Sequence, residues 1–145
     1  MQVFEAMTPD VVSVLPDTKL VDAALAMRNL DVGPLPVVDG GRLVGVITDR
    51  DITVRATAEG RDPRLTTVED VMTPEVVACR EEDDVRVAAR MMQDAQLRRL
   101  LVVDERGMLV GIVSLGDLAV QTRDDHLSGE TLERVSEPAI VRRGA

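Results

Sequence analysis

Two short stretches of the chain place a hydroxyl three residues before a carboxylate. Thr48 precedes Asp51 in "GVITDRD" (the first motif), and Ser114 precedes Asp117 in "GIVSLGD" (the second motif). A capping box needs this spacing, because a hydroxyl and an acid then satisfy the first amides of a helix. The same spacing gathers a hydroxyl, a carboxylate and free helix N–H groups, which together could hold a nucleotide. The spacing alone is compatible with both functions.

Other reactive residue types are too sparse to predict catalysis or a metal centre. A single cysteine, Cys79, and a single histidine, His126, provide neither a disulfide framework nor the usual zinc ligands. Cys79 lies in the apolar run "VVACR", which is typical of a small core residue. The sequence contains no serine–histidine–acid triad and no Walker-type glycine loop. We therefore expect no catalytic residue, no catalytic cofactor and no metal site, and we favour a binding or regulatory protein over an enzyme.

The composition bounds the size of the fold and the class of partner. With 145 residues, 45% of them hydrophobic, the chain can form one compact unit or two small units packed together. A net charge of −9 disfavours nucleic acid, and Phe4, the only aromatic residue, leaves no stacking platform for single strands. No apolar run is long enough to cross a bilayer, and the N-terminus does not resemble a signal peptide. We expect a cytoplasmic protein with neither a membrane nor a nucleic-acid partner.

The chain is an internal repeat. "AMTPDVVSV", starting at Ala6, returns as "VMTPEVVAC", starting at Val71. "LPVVDGGRLVGVITDRDITV", starting at Leu35, returns as "LLVVDERGMLVGIVSLGDLAV", starting at Leu100. Two copies of one unit therefore make up almost the whole chain. We place the first repeat at residues 1–62, the second at 63–125, and a C-terminal tail with one helical turn around Glu130 to Val135 at 126–145.

Each repeat is predicted to run strand, helix, strand, strand, helix. In the first repeat the opening strand covers Val11 to Val14. The helix after it carries apolar residues at three- and four-residue intervals, namely Leu20, Ala23, Ala24 and Met27. The acidic run Glu81 to Asp84 begins the matching helix of the second repeat, where the helix dipole favours negative charge.

A hairpin and a second helix complete each repeat. Gly40-Gly41 separates two apolar runs, which is a signal for a hairpin turn. Thr48 or Asp49 begins the next helix, and Gly60 is placed to end it. Helices on one side of a small sheet give an α/β (α+β) fold. Neither repeat buries enough surface alone, so we expect the two to pack on each other about a pseudo-twofold axis.

The order of elements, the "MTP-x-VV" opening and the "G-h-x-T/S-x-x-D" closing motif resemble cystathionine-β-synthase (CBS) domains. Two copies in one chain resemble the tandem pair called a Bateman module, over roughly Met7 to Val120. We expect the stand-alone bacterial type, with no catalytic domain attached. The resemblance implies two β-α-β-β-α repeats and a regulatory role.

The resemblance also implies an adenosine-containing ligand in the cleft between the repeats. The ligands of the family are AMP, ADP or ATP, and sometimes S-adenosylmethionine. The resemblance assigns the ribose hydroxyls to Asp51 and Asp117, with Thr48 and Ser114 beside the ribose and phosphate. An ionised carboxylate suits a vicinal diol, because it accepts two hydrogen bonds and donates none.

A third element of the resemblance separates the two motifs. Nucleotide-binding members often carry an arginine at the start of the central strand to meet the phosphate, and Arg99 in "LRRLLVVDE" has that place. Its counterpart in the first repeat is Pro34, so the first motif lacks the cation unless Arg50 or Arg55 reaches it. We favour a ligand site at the second motif. At the first, a plain capping box and a ligand contact are evenly balanced.

The "MTP" segments are implied to supply the adenine pocket, each from the other repeat. Thr8 to Ser13 would then complete the second motif, and Thr73 to Ala78 would complete the first. Backbone groups would read the adenine edge while valines clamp its faces. The implied contacts are Thr8, Val12 and Ser13 for one ligand, and Thr73, Val77 and Ala78 for the other.

Three functions stay open. The first is a sensor in which adenylate binding changes how repeats or subunits sit, and so acts on a protein partner in trans. The second is a ligand-free dimerisation or interaction scaffold whose motifs only cap helices. The third is a small enzyme with an unrecognised site, which nothing in the sequence favours. CBS pairs commonly form homodimers, here through exposed helix faces bearing Ala23, Ala24, Ala88 and Ala89.

Overall fold

The computed structural model describes residues 1–122. The chain divides into two compact units. Within the described residues, unit I is the continuous stretch Val12–Val76, and unit II joins Met1–Val11 to residues 77–122. The predicted helical turn around Glu130, and His126, lie outside the described residues.

Unit II is built on a four-stranded sheet in the order β1-β6-β5-β4. Its elements are α1 (Val3–Ala6), β1 (Thr8–Pro9), β4 (Ala78–Arg80), α5 (Val85–Ala95), β5 (Arg99–Val103), β6 (Leu109–Ser114) and α6 (Leu115–Thr122). Strand β4 runs parallel to β5, as a strand–helix–strand crossover through α5 requires, and the other pairs are antiparallel. The buried core of unit II includes Met92 of α5, Leu100 of β5 and Leu118 of α6.

Unit I repeats this arrangement with shorter outer strands. Its elements are α2 (Leu20–Leu30), β2 (Leu35–Asp39), β3 (Arg42–Ile47), α3 (Asp49–Asp51) and α4 (Val68–Val71). Helix α3 continues as a π-helical turn, Ile52–Ala56, and a 3₁₀ turn, Thr57–Glu59. Single bridges flank the β2–β3 hairpin, parallel from Val14 to Val37 and antiparallel from Thr73 to Val46. The order of extended segments in unit I is therefore that of unit II.

The opening segment of each repeat is shared between the units, which corrects the predicted strand at Val11 to Val14. The strand lies earlier, at Thr8–Pro9, and pairs with β6 in unit II. Asp10 then adopts a left-handed φ of 60°, which interrupts the extended run. Only Val14 resumes pairing, now with β2 in unit I. One sequence segment thus supplies an edge to each of two sheets.

The first amphipathic helix is confirmed with one change to its buried face. Leu20, Ala23 and Met27 of α2 are buried as predicted, whereas Ala24 is exposed. The helix begins after Lys19 and ends at Asp31, whose φ of 55° is left-handed. The buried stripe is narrower than predicted because Ala24 lies beyond the edge of the core-facing surface.

The alanines proposed for a dimer surface are also corrected. Ala23, Ala88 and Ala89 are fully buried within the cores of their own units, so their side chains face inward and not toward a partner. Their small size allows the helices to approach the sheets closely. Ala24 alone of the four is exposed.

The predicted turns are confirmed. Gly40 and Gly41 have φ values of 58° and 83°, which suit a two-residue hairpin, and Asp39 pairs with Arg42 across it. In the longer turn of unit II, Asp104 accepts hydrogen bonds from the backbone N–H groups of Arg106 and Met108. The chain after α3 ends its helical course at Gly60, at a φ of 70°. Among residues 1–122, no helix is long and apolar enough to cross a membrane.

Candidate functional site

The second motif forms a complete capping box at the start of α6. The backbone N–H of Ser114 donates to Asp117 Oδ2 at 2.8 Å, and the backbone N–H of Asp117 donates to Ser114 Oγ at 3.0 Å. Both side chains are partly exposed. Within the described part of the chain, the second carboxylate oxygen, Oδ1 of Asp117, has no hydrogen bond or ion pair. An acceptor is therefore left over after the helix has been capped.

Arg99 lies beside this motif because of the strand register. It is the first residue of β5 and pairs directly with Ser114, the last residue of β6. Directly opposed residues have Cβ atoms about 4.5–5.5 Å apart, so the cation and the hydroxyl share one edge of the sheet. Arg99 is exposed, and its guanidinium makes no hydrogen bond or ion pair with any other residue in the described range. The predicted cation, hydroxyl and carboxylate are thus brought together.

The first "MTP" segment completes this edge of unit II. Strand β1 pairs with β6 through Thr8 opposite Ile112 and Pro9 opposite Gly111. A Cβ atom at Gly111 would stand 2.8 Å from the Thr8 carbonyl oxygen and 2.7 Å from Met7 Sδ. Only glycine allows β1 to approach so closely. Gly111, three residues before Ser114, therefore explains why an "MTP" segment can lie beside the second motif.

The first motif has the same capping geometry in a more buried setting. The backbone N–H of Thr48 donates to Asp51 Oδ2, and the backbone N–H of Asp51 donates to Thr48 Oγ1, both at 3.0 Å. Thr48 is 5% exposed and Asp51 is 2% exposed. The second "MTP" segment lies beside it, since Thr73 bridges Val46. Gly45 admits this segment, because a Cβ there would stand 2.9 Å from the Thr73 carbonyl oxygen.

Arg55 supplies the cation of the first motif and is already engaged. Its Nη1 atom lies 3.7 Å from Asp51 Oδ1, an ion pair one helical turn apart. The same atom donates to the carbonyl oxygens of Val71 at 3.1 Å and Met72 at 3.2 Å. A longer contact of 3.4 Å reaches Thr73 Oγ1. The alternative that sequence reasoning left open, an arginine from the helix itself, is the one found here, and Arg50 is exposed without joining this network.

Matching backbone bonds support the alignment of Pro34 with Arg99. The N–H of Asp49 donates to the carbonyl of Gly33 at 3.2 Å, and the N–H of Leu115 donates to the carbonyl of Arg98 at 2.8 Å. Pro34 and Arg99 follow these two carbonyls in their respective repeats. The strand-borne cation is therefore present in unit II only.

The remaining predicted contacts divide between the units. Val12 and Ser13 belong to unit I, whereas Val77 and Ala78 belong to unit II. Val12 and Val77 are exposed, and Ser13 and Ala78 are partly exposed. Their assignment to an adenine pocket stays a prediction.

A third T-x-x-D sequence, which the sequence analysis did not predict as a cap, lies in unit I. Thr67 and Asp70, in "TVED", form a capping box at the start of α4, and the Thr67 N–H donates to Asp70 Oδ2 at 3.0 Å. These hydrogen bonds lower the pKa of the Asp70 carboxyl below its usual value. No glycine stands three residues before Thr67, so the glycine is the signal that separates this cap from the two motifs beside "MTP" segments.

Cys79 is a core residue, as its apolar context predicted. It is 1% exposed, on β4, and burial raises the pKa of its thiol to about 11. A thiol with so high a pKa is a poor nucleophile at neutral pH. Within residues 1–122, no three histidine, cysteine or acidic side chains are grouped so that they could hold a metal ion.

Comparison with known proteins gives one consistent family. The model of the CBS domain matches residues 3–56 and again residues 68–121. The CBS domain-containing protein YhcV of Bacillus subtilis is 41% identical over 136 residues, covering 94% of this chain and 96% of its own.

Two solved structures of similar fold contain adenosine compounds. Arabidopsis thaliana CBSX2 in complex with AMP has a TM-score of 0.70 and 30% identity, over 86% of this chain and 98% of that one. The CBS domain pair of protein MJ0100, in complex with 5-methylthioadenosine and S-adenosyl-L-methionine, has a TM-score of 0.68 and 27% identity, over the same shares of the two chains.

Proposed function

The chain belongs to the CBS domain family, and from that premise we propose that it is a regulatory module that binds an adenosine-containing ligand at the second motif. The ligand would be AMP, ADP or ATP, with S-adenosylmethionine as the other class found in the family's structures. The proposed site residues are Arg99, Ser114 and Asp117, with Thr8 on the neighbouring strand.

One observation carries this proposal: the register that sets Arg99 opposite Ser114, one turn from an Asp117 oxygen that the cap does not use. A free carboxylate oxygen can accept a hydrogen bond from a ribose hydroxyl, and Ser114 and Arg99 can donate to a phosphate. The N-terminus of α6 adds a favourable dipole for that phosphate. A carboxylate, a hydroxyl and a cation that could serve these roles thus lie at the same end of one strand pair.

The chemistry of the site is that of binding, without a reaction. Among the described residues, Asp117 and Arg99 have no histidine or cysteine beside them, and Cys79 is buried in the core. We propose that the protein acts on another protein in trans, in the cytoplasm, through a ligand-dependent change in how its units or subunits are arranged.

We also propose a homodimer, now through large aliphatic side chains instead of the buried alanines. Helices of both units expose such residues, with exposed fractions from 40% to 72%: Leu25, Leu30, Val54, Val87 and Val120. Contiguous apolar surface marks sites of protein association, and we propose that these side chains contribute to such a surface. Light scattering during size-exclusion chromatography measures the oligomeric state, and a monomer at every concentration would contradict the dimer.

The binding proposal is tested by titrating the protein with AMP, ADP, ATP, S-adenosylmethionine and adenosine. In Asp117→Asn the amide N–H₂ would face the ribose when its oxygen caps the helix, so binding of all five should fall at least about tenfold. The matched control is Asp70→Asn, which changes the same residue type in a cap without a glycine partner and should leave affinity unchanged. Equal loss in both variants would contradict the site.

The variant Arg99→Gln tests the phosphate contact separately from the contacts to the nucleoside. Loss of a charge-assisted hydrogen bond should weaken AMP by about tenfold or more and leave adenosine nearly unchanged. If adenosine and AMP weakened equally, Arg99 would not be the phosphate contact.

The second candidate function is the ligand-free scaffold, and a specific observation favours it too. In both motifs the hydroxyl and one carboxylate oxygen form a complete capping box with backbone groups of the same motif, so the T/S-x-x-D spacing has a structural role of its own. In that case no adenosine compound would raise the melting temperature of the wild-type protein. The variant Asp117→Asn would still differ from the wild type in melting temperature, because the helix cap is altered. Such a result would contradict the function as a nucleotide sensor and support the function as a ligand-free scaffold.

A further inference from the structure

We propose that Arg55 closes the first motif to ligands, so that each chain holds a single adenosine ligand, at the second motif. This inference rests on the proposed function of the second motif. It concerns the number of ligands that the chain can bind and names one side chain as the cause.

The acceptors of Asp51 are both used inside unit I. Oδ2 accepts the cap hydrogen bond from the Thr48 N–H, and Oδ1 faces the Arg55 guanidinium at 3.7 Å. The carboxylate is 2% exposed, and a buried charge is stable only when it is paired. A ribose diol would have to take Oδ1 from the only cation that the described part of the chain places against it.

Arg55 is itself held by groups at the end of α4. The carbonyls of Val71 and Met72 are among those that a helix leaves without an internal partner, and Arg55 Nη1 donates to both. Moving the Arg55 guanidinium away would therefore leave a buried carboxylate and two helix-end carbonyls without this partner at the same time. Arg55 also reaches Thr73, in the "MTP" segment beside the motif, so the guanidinium ties the motif to its neighbouring segment.

The corresponding position in the other repeat is Gln121, which carries no charge. Helix α6 stays α-helical through this position, whereas the turn that carries Arg55 is π-helical, from Ile52 to Ala56. A π-helical turn inside a helix is rare and often marks a functional position. The two repeats thus differ both in the residue and in the helix geometry that presents it.

The test is the stoichiometry of AMP and of ATP, measured by titration calorimetry on the full-length protein and its variants. The wild type should bind one ligand per chain. Asp117→Asn should remove it, and the matched change Asp51→Asn should leave both stoichiometry and affinity unchanged. Arg55→Gln should raise the stoichiometry to two, while Arg50→Gln, an exposed arginine of the same helix outside the network, should not.

Each result bears on one claim. Two ligands per wild-type chain, one of them lost in Asp51→Asn, would overturn the closure by Arg55 and leave the proposed function standing. No ligand in the wild type would overturn the proposed function itself. One ligand in a folded Arg55→Gln chain would show that something else closes the first motif. If that variant fails to fold, as circular dichroism would show, Asp51→Asn still decides whether the first motif binds.

The reciprocal variant Gln121→Arg introduces the same side chain at the second motif. It should weaken AMP binding by tenfold or more. The control is Gln121→Glu, which cannot form an ion pair with Asp117 and therefore should not close the second motif in this way. Unchanged AMP affinity in Gln121→Arg would contradict the claim that an arginine at this helical position excludes the ligand.

Discussion

The two motifs share one capping box and differ in what surrounds it. In unit II the second motif keeps a free carboxylate oxygen and has an exposed arginine across the strand pair. In unit I the same oxygen of Asp51 faces Arg55, which the helix end also binds. The caps are therefore equivalent in their local hydrogen bonds. What distinguishes them is whether tertiary neighbours have already used the remaining groups.

This difference explains how a cap and a ligand site can coexist in one sequence pattern. A capping box uses the hydroxyl oxygen and one of the two carboxylate oxygens, and the second carboxylate oxygen is left available. A ligand can use that oxygen only where no residue of the chain does. Thr67 and Asp70 provide the reference case. They form a cap, but no glycine stands three residues before Thr67 to let an "MTP" segment approach it.

The largest stability effect should come from the glycines that admit the "MTP" segments. Gly111→Ala would push its Cβ against the backbone of Thr8 and Gly45→Ala against that of Thr73, and overpacking of this kind costs about 1–3 kcal/mol. Denaturant unfolding measures the loss. If the comparison holds, Gly111→Ala also weakens AMP binding, whereas Gly45→Ala lowers stability alone.

An intermediate effect should come from the hydroxyls of the two caps. Removal of a capping hydroxyl costs about 0.5–2 kcal/mol, and Thr48→Ala should lie at the upper end because both Thr48 and Asp51 are buried. Ser114→Ala should lie at the lower end, because water can replace a partly exposed hydroxyl. The free energies of unfolding of the two variants decide this, and a larger loss in Ser114→Ala would reverse the comparison.

The smallest effect should be the acid sensitivity contributed by one hydrogen-bonded carboxylate in each unit, Asp70 and Asp104. Backbone hydrogen bonds, from Thr67 to Asp70 and from Met108 to Asp104, lower the pKa of both carboxyls below its usual value. A lowered pKa in the folded state stabilises the fold above the unfolded value, and this contribution disappears as pH falls through the folded value. Asp70→Asn and Asp104→Asn should each flatten the decline in stability between about pH 5 and pH 2. A steeper decline in either variant would contradict the sign.

Much of the fold follows from local sequence signals. The glycine pair in the hairpin and the hydroxyls of the two motifs each determine geometry within a few residues, and both were predicted correctly. Of the four positions that the apolar spacing of α2 predicted to be buried, three are buried, namely Leu20, Ala23 and Met27. Ala24 was misplaced because periodicity locates a helix face only to within one residue of its edge. Arg99 was placed near the second motif only through the resemblance to CBS domains, and the pairing of Arg99 with Ser114 emerges from the strand register of the structure.

The features that escaped prediction depend on distant parts of the chain. Arg55 donates to carbonyls of Val71 and Met72, which no local pattern connects to it. The break at Asp10 is a left-handed residue that is not glycine, and the sequence analysis placed the opening strand after it, at Val11 to Val14. The close approach that Gly111 permits becomes visible only when β1 is placed beside β6.

The shared opening segment also orders events as the chain leaves the ribosome. Unit I is a continuous stretch, so it can close as soon as residue 76 has emerged. Unit II cannot, because Thr8 must wait for Ile112 before its strand has a partner. A contact across so long a loop carries a large closure entropy and forms late. Unit II, which is proposed to bind the ligand, is therefore assembled last. Unit I, in which Arg55 is proposed to close the first motif, has folded by then.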